Sequence, residues 1–214
     1  MPGPHPDDGM HVTSVFPTLI AEARNPAGEP MNRALAALVR ERERLERDRS
    51  PFTTVNHGWQ SGLELLDTPH PAVAAFRAWI ESRIEAYLAA WGAASFAAGA
   101  PDRFAYEYTG WAVMLRTGGF QHEHVHSKTD MVGVYYVEVP PPAPGTQPGA
   151  LTMLDPRAGR VAARSVWESV QHSVIPEAGK LVLFPSFLPH RVDQLTAPGE
   201  RISINFDVTL HGVR

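Results

Sequence analysis

The 214-residue chain contains no cysteine. Disulfide frameworks, thiolate metal sites and a cysteine nucleophile are therefore excluded, and a reducing compartment, the cytoplasm, is the expected setting. Long apolar runs are also missing. No stretch approaches the ~18 consecutive apolar residues of a membrane helix. The opening segment Met1–His11 is polar and carries two acids, so neither a signal peptide nor a membrane partner is expected. Positive charge is not in excess either: 19 Lys and Arg stand against 23 Asp and Glu, a net charge of −4 with neutral histidines. That balance argues against nucleic acid as a partner. Two residue types are plentiful instead. The 20 prolines punctuate the chain into short elements, and the 10 histidines direct attention to metal chemistry.

Residues 1 to about 10 read as a loose tail, and 11–214 as one domain. The domain divides into a helical part, about 30–95, and a strand-rich part, about 104–210. Val12 to Ile20 is short and β-branched, a strand interrupted by Pro17. From Pro30 to Arg49, Leu35, Leu38, Val39, Arg42 and Leu45 recur at helical spacing opposite a charged face. From Pro71 to Ala94, Val73, Phe76, Ile80, Ile84, Tyr87, Leu88 and Trp91 form one apolar stripe. Between the two helices, Trp59-Gln60 sits in a loop-like segment with His57 and Gly58. From Phe104 onward, short β-rich runs alternate with Gly and Pro turns. The candidate strands are 106–115, 122–126, 131–139, 150–154, 166–169, 171–174, 180–184, 192–194 and 202–210. So many short strands predict a sandwich, barrel or jelly roll.

Three of the histidines fall in Gln121-His122-Glu123-His124-Val125-His126. On a strand, side chains two apart share a face, so His122, His124 and His126 can all point one way. Two imidazoles delivered in this manner are a common start to a metal site, which needs a third ligand from elsewhere. His190 is a candidate, presented by a Pro-bounded turn after the apolar run Leu181–Pro185. Eleven residues later comes Arg201-Ile202-Ser203, where a strand would place Arg201 and Ser203 on one face. A guanidinium and a hydroxyl on one face suit a carboxylate. Arg116 and Lys128 flank the histidine segment and read as solvated.

The order of these motifs resembles that of a bacterial family of 2-oxoglutarate/iron(II)-dependent oxygenases. The residues carrying the resemblance are Phe16-Pro17-Thr18, Trp59-Gln60-Ser61, Trp111, Gly118, Gln121, His124 and His126. They continue with Gly133-Val134-Tyr135-Tyr136, Asp155-Pro156-Arg157, Phe184-Pro185-Ser186 and Arg201-Ile202-Ser203, so the likeness runs over about 12–210.

The resemblance implies an α+β fold: a double-stranded β-helix, jelly-roll or cupin-like, backed by N-terminal helices. It implies His124, His126 and His190 as iron(II) ligands, with Arg201 and Ser203 holding the far carboxylate of 2-oxoglutarate. The expected enzyme is a dioxygenase that consumes O₂ and 2-oxoglutarate, releases succinate and hydroxylates a small-molecule or peptide substrate. One departure stands out. The superfamily's usual triad is two histidines and a carboxylate, and the carboxylate position is here His126. His122 with His124 and His190, or a histidine pair with Asp130, are the rival ligand sets. The rival functions are a cupin-like metal-binding module and a three-histidine dioxygenase that needs no 2-oxoglutarate. Neither the substrate nor the oligomeric state, a homodimer included, can be read from the sequence.

Overall fold

The computed structural model describes residues 18–26, 28–45, 54–95, 104–141, 143–157 and 170–213. The expected N-terminal tail, most of the strand over 12–20, the end of the first helix beyond 45 and the strand over 166–169 lie outside these residues.

The two helices form where the apolar spacing predicts. α1 (Gly28–Leu45) begins two residues before Pro30, which occupies its first turn, where a missing N–H is harmless. Glu29 near its start and Arg42 and Arg44 near its end complement the helix dipole. Leu35 and Val39 are fully buried, but Leu45 is exposed, so the apolar stripe stops one turn early. α2 (Pro71–Ser95) buries Val73, Phe76, Ile80, Ile84, Tyr87 and Leu88. No helix among the described residues is long and apolar enough to cross a membrane.

The strands are β1 (Ala21–Arg24), β2 (Val55–Gln60), β3 (Phe104–His124), β4 (Met131–Glu138), β5 (Leu151–Leu154), β6 (Gln171–Val174), β7 (Lys180–Pro185), β8 (His190–Val192) and β9 (Glu200–Val213). They lie in the order β1-β7-β4-β9-β3-β8-β5-β6, with β2 added to β3, and every ladder is antiparallel. The sheet curls on β3. Its first part pairs with β9 from Phe104 to Arg116, and its last part pairs with β8 at Gln121 and His124. The bend lies at Gly118, whose φ of 89° suits only glycine without strain. One strand thus spans the stretch that the sequence divides into 106–115 and 122–126. The glycines between them bend the strand without breaking it.

Alternation along the strands builds two interiors. Ala112, Met114, Met131, Tyr135, Leu181, Leu183, Ile202, Ile204, Phe206 and Val208 join the helices in one apolar core. The opposite faces, with Val132, Val134, Tyr136, Val182 and Phe184, meet Leu151, Met153 and Val174 across the curl. The result is a double-stranded β-helix with both helices packed behind one layer.

Two local expectations differ. The segment around Trp59 is strand β2 and not a loop, and Trp59 is buried. Its sequence hides this because the ladder to β3 carries an irregularity between Asn56 and Gly58, and His57 has a φ of 47°. Thr18 to Ile20 belongs to no strand, and the first described strand starts at Ala21.

Candidate metal centre

His124 is the last residue of β3 and His190 the first of β8, and the two are cross-strand partners. Such partners hold their Cβ atoms about 4.5–5.5 Å apart, which brings these two rings to 4.3 Å between centroids. His126 lies beyond the strand. Its backbone N–H donates to the Ser186 carbonyl at 3.1 Å, tying the segment after β3 to the turn before β8. Its ring lies 5.2 Å from that of His124 and 5.1 Å from that of His190. One ring nitrogen from each histidine lies within 4.8 Å of the other two.

The remaining nitrogens settle the tautomers. Nδ1 of His124 meets the His122 carbonyl at 2.7 Å, and Nδ1 of His190 meets the Leu188 carbonyl at 2.9 Å. A carbonyl only accepts, so each Nδ1 carries the proton and each Nε2 keeps its lone pair. Nδ1 of His126 meets Asp207 Oδ1 at 2.6 Å, with the same consequence. Trp111 stacks on the His126 ring at 5.8 Å. Burial, reinforced by charge on His124, pushes the His190 pKa down to about 3. Burial also lowers that of His124. Both rings are therefore neutral near pH 7, the form that binds a metal.

The rival ligands stand apart from this cluster. His122 is exposed and meets Phe120 edge-on at 5.0 Å. The Asp130 carboxylate accepts the Leu210 N–H at 2.8 Å. His172, on β6, is also exposed.

Arg201 and Ser203 project from β9 into the same interior. Arg201 has no exposed surface, and its guanidinium carbon lies 4.8 Å from the centroid of the Tyr136 ring. All three of its guanidinium nitrogens lack a hydrogen-bond partner, as do Ser203 Oγ and Tyr136 Oη. Burial opposes the charge on Arg201, yet a guanidinium stays protonated in proteins. One cavity connects it to the histidines, with Trp111 and Asn205 also on the wall. Arg116, by contrast, is half-exposed and paired with Glu43 and Glu200.

This donor set fits the groups that the fold family uses. Three imidazole lone pairs converge as a facial set for a divalent transition metal. The orphaned cation on the cavity wall, with the buried Ser203 hydroxyl on the same face of β9, fits a desolvated carboxylate. Asn205 and Asp207 are not legible as site residues in the sequence. The only signal for them is alternation: Arg201, Ser203, Asn205 and Asp207 occupy every second position of β9.

Comparison with known proteins agrees. Residues 109–207 match the model of a family described as "Putative 2OG-Fe(II) oxygenase". Among curated proteins, none matches the chain by sequence. A Pseudomonas putida prolyl-4-hydroxylase is similar in structure at 20% identity, with a TM-score of 0.60 over 90% of this chain and 93% of that one. A Trichoplax adhaerens prolyl hydroxylase, solved with a hypoxia inducible factor peptide fragment, is similar at 13% identity. Its TM-score is 0.60 over 89% of this chain and 83% of that one. HygX from Streptomyces hygroscopicus, solved with nickel, 2-oxoglutarate and hygromycin B, is similar at 11% identity, with a TM-score of 0.57 over 90% and 83%. The family match thus covers residues 109–207, a segment that contains all three clustered histidines, and the fold over about 90% of the chain is that of the solved structures just named.

Proposed function

We propose that His124, His126 and His190 hold one iron(II) ion, that Arg201 with Ser203 binds the far carboxylate of 2-oxoglutarate, and that the enzyme hydroxylates a small-molecule or peptide substrate. The observation that carries this reading is the fully buried guanidinium of Arg201, stacked on Tyr136 but with no hydrogen-bond partner, in the same cavity as the three histidines. An uncompensated buried charge costs several kcal/mol, so an anionic ligand is the natural complement. A metal between the histidines and a cation further in are what a keto acid with a second carboxylate needs at its two ends.

When bound, iron(II) supplies the chemistry that couples O₂ reduction to conversion of 2-oxoglutarate into succinate and CO₂. The chain's own residues prepare the site. The Nδ1 protons of His124 and His190 stay on backbone carbonyls, which aims both Nε2 atoms at one point. Trp111 and Asp207 clamp the His126 ring from its face and its edge. Val132, Val134, Leu151 and Val192 give the cavity an apolar wall that excludes water. A peptide fragment accompanies the Trichoplax enzyme and hygromycin B accompanies HygX. Both substrate classes are carried into this proposal. A single catalytic domain over residues 11–214, a cytoplasmic setting and the lack of a nucleic-acid partner complete it. Structural likeness over 90% of the chain supports the single domain, the net charge of −4 the lack of a nucleic-acid partner, and the absence of cysteine the cytoplasmic setting.

The test is anaerobic titration of the iron-loaded protein with 2-oxoglutarate, followed by charge-transfer absorbance. Wild type binds, and Arg201→Ala keeps its iron but weakens 2-oxoglutarate binding by about 2–5 kcal/mol. His190→Ala loses its metal while circular dichroism keeps the folded signature. No 2-oxoglutarate binding by wild type would leave the cupin-like module or the cosubstrate-free dioxygenase. Full iron occupancy in His190→Ala would end the ligand assignment.

A further inference from the structure

In the reading just proposed, on which this inference rests, every protein ligand of the metal is a neutral imidazole. The usual facial triad brings one negative charge directly to the ion. Here none of the three ligands does, but a carboxylate stands one atom chain behind one of them. Asp207 Oδ1 lies 2.6 Å from Nδ1 of His126, and both side chains are mostly buried, with 26% and 10% of their surfaces exposed. The other two rings rest their Nδ1 protons on peptide carbonyls. The asymmetry falls on position 126, where the resemblance places a carboxylate ligand in related oxygenases.

We propose that Asp207 is the positioning residue that supplies, through His126, the negative charge which the facial triad would otherwise carry as a ligand. The backbone holds it for this task. Asp207 is flanked in register by Thr109 of β3 and Val132 of β4, so it cannot drift from the metal end of β9. Trp111 stacks on the His126 ring and fixes its plane. Among the described residues, His126 is the one side chain that Asp207 bonds. A carboxylate on the distal nitrogen fixes the ring's tautomer and raises the basicity of the nitrogen facing the metal. Loss of such a partner typically costs about 10–100-fold in metal affinity.

The test uses cobalt(II) alone, added anaerobically to metal-free protein, with affinity and visible d–d absorption as readouts. Four proteins form a double-mutant cycle: wild type, Asp207→Asn, His126→Asp and the double variant. Asparagine is isosteric and still accepts the Nδ1 proton, so it removes the charge and little else. Asp207→Asn lowers cobalt affinity about 10–100-fold and shifts the d–d bands. In the His126→Asp background a carboxylate already faces the metal, so adding Asp207→Asn leaves affinity unchanged or raises it by relieving repulsion. Asp207→Ala, which removes the acceptor as well, loses at least as much as the asparagine variant. Wild-type affinity in Asp207→Asn would overturn the inference. So would an equal loss in both backgrounds, because a merely structural role would not depend on residue 126. Failure of wild type itself to bind cobalt would overturn the metal site and leave nothing for Asp207 to support.

Discussion

The two faces of β9 obey opposite rules. Ile202, Ile204, Phe206 and Val208 have no exposed surface and pack against the helices. Arg201, Ser203, Asn205 and Asp207 alternate with them and carry a polar group at every position. The first face is satisfied by apolar contact alone. The second contains a buried cation and hydroxyl with no hydrogen-bond partner at one end and a carboxylate bonded to a histidine at the other. Two sides of one strand therefore differ in what completes them: the helices complete one, and a ligand completes the other. Stability resides on the first face, and the second departs from the rule that buried polar groups are paired. Such departures concentrate where function requires them.

The largest way to break this comparison is on the apolar face. Phe206→Ala is expected to lower the free energy of unfolding by about 3–5 kcal/mol, read from denaturant titration of the metal-free protein. Gly133 lies opposite Phe206 in the β4–β9 ladder, and a methyl there would collide with the phenyl ring. Gly133→Ala alone is expected to cost about 1–3 kcal/mol by overpacking. Added to Phe206→Ala it should cost much less, because the methyl then enters vacated space. Additive losses would show that the two positions do not share that volume.

On the polar face the sign reverses. Arg201→Met replaces a buried cation that lacks a hydrogen-bond partner by an apolar chain of similar reach. It should leave metal-free stability unchanged or raise it by up to about 4 kcal/mol while weakening 2-oxoglutarate binding by about 2–5 kcal/mol. A marked loss of stability would mean that Arg201 is held by contacts within the protein, and the contrast between the faces would fail. The smallest effect is expected at Ser203. Its hydroxyl lacks a partner in the protein alone, so Ser203→Ala should hardly move the unfolding midpoint. It should weaken 2-oxoglutarate binding by about 0.5–1.5 kcal/mol, measured in the same anaerobic titration.

Much of this arrangement is legible in the sequence where it depends on spacing. The apolar stripe of α2 and the run Leu181–Pro185 state their own burial. Alternation puts Arg201 and Ser203 on one face before any fold is known. The histidines are a subtler case. Same-face spacing on a strand suggests that His122, His124 and His126 act together, yet β3 ends at His124, and His126 reaches the cluster through the segment beyond it. Strand β2 is illegible for a related reason. Val55 to Gln60 carries little apolar alternation and becomes a strand by pairing with β3, whose backbone comes so close that a side chain at Gly58 would strike the Met114 carbonyl.

By itself, the sequence determined which residue types were available and how they alternate: a cysteine-free chain, histidines two apart, one more after a Pro-bounded turn, and an arginine at the start of a strand. These follow from local periodicity, which covalent geometry converts directly into faces. Tertiary structure alone decided which histidines converge. The cross-strand pairing of His124 with His190 closes a gap of 66 positions, and the pairing of His126 with Asp207 closes one of 81. It also decided that Arg201 meets the Tyr136 ring and no hydrogen-bond acceptor, because a charge's neighbours across a curled sheet are set by register and not by the residues beside it in the chain.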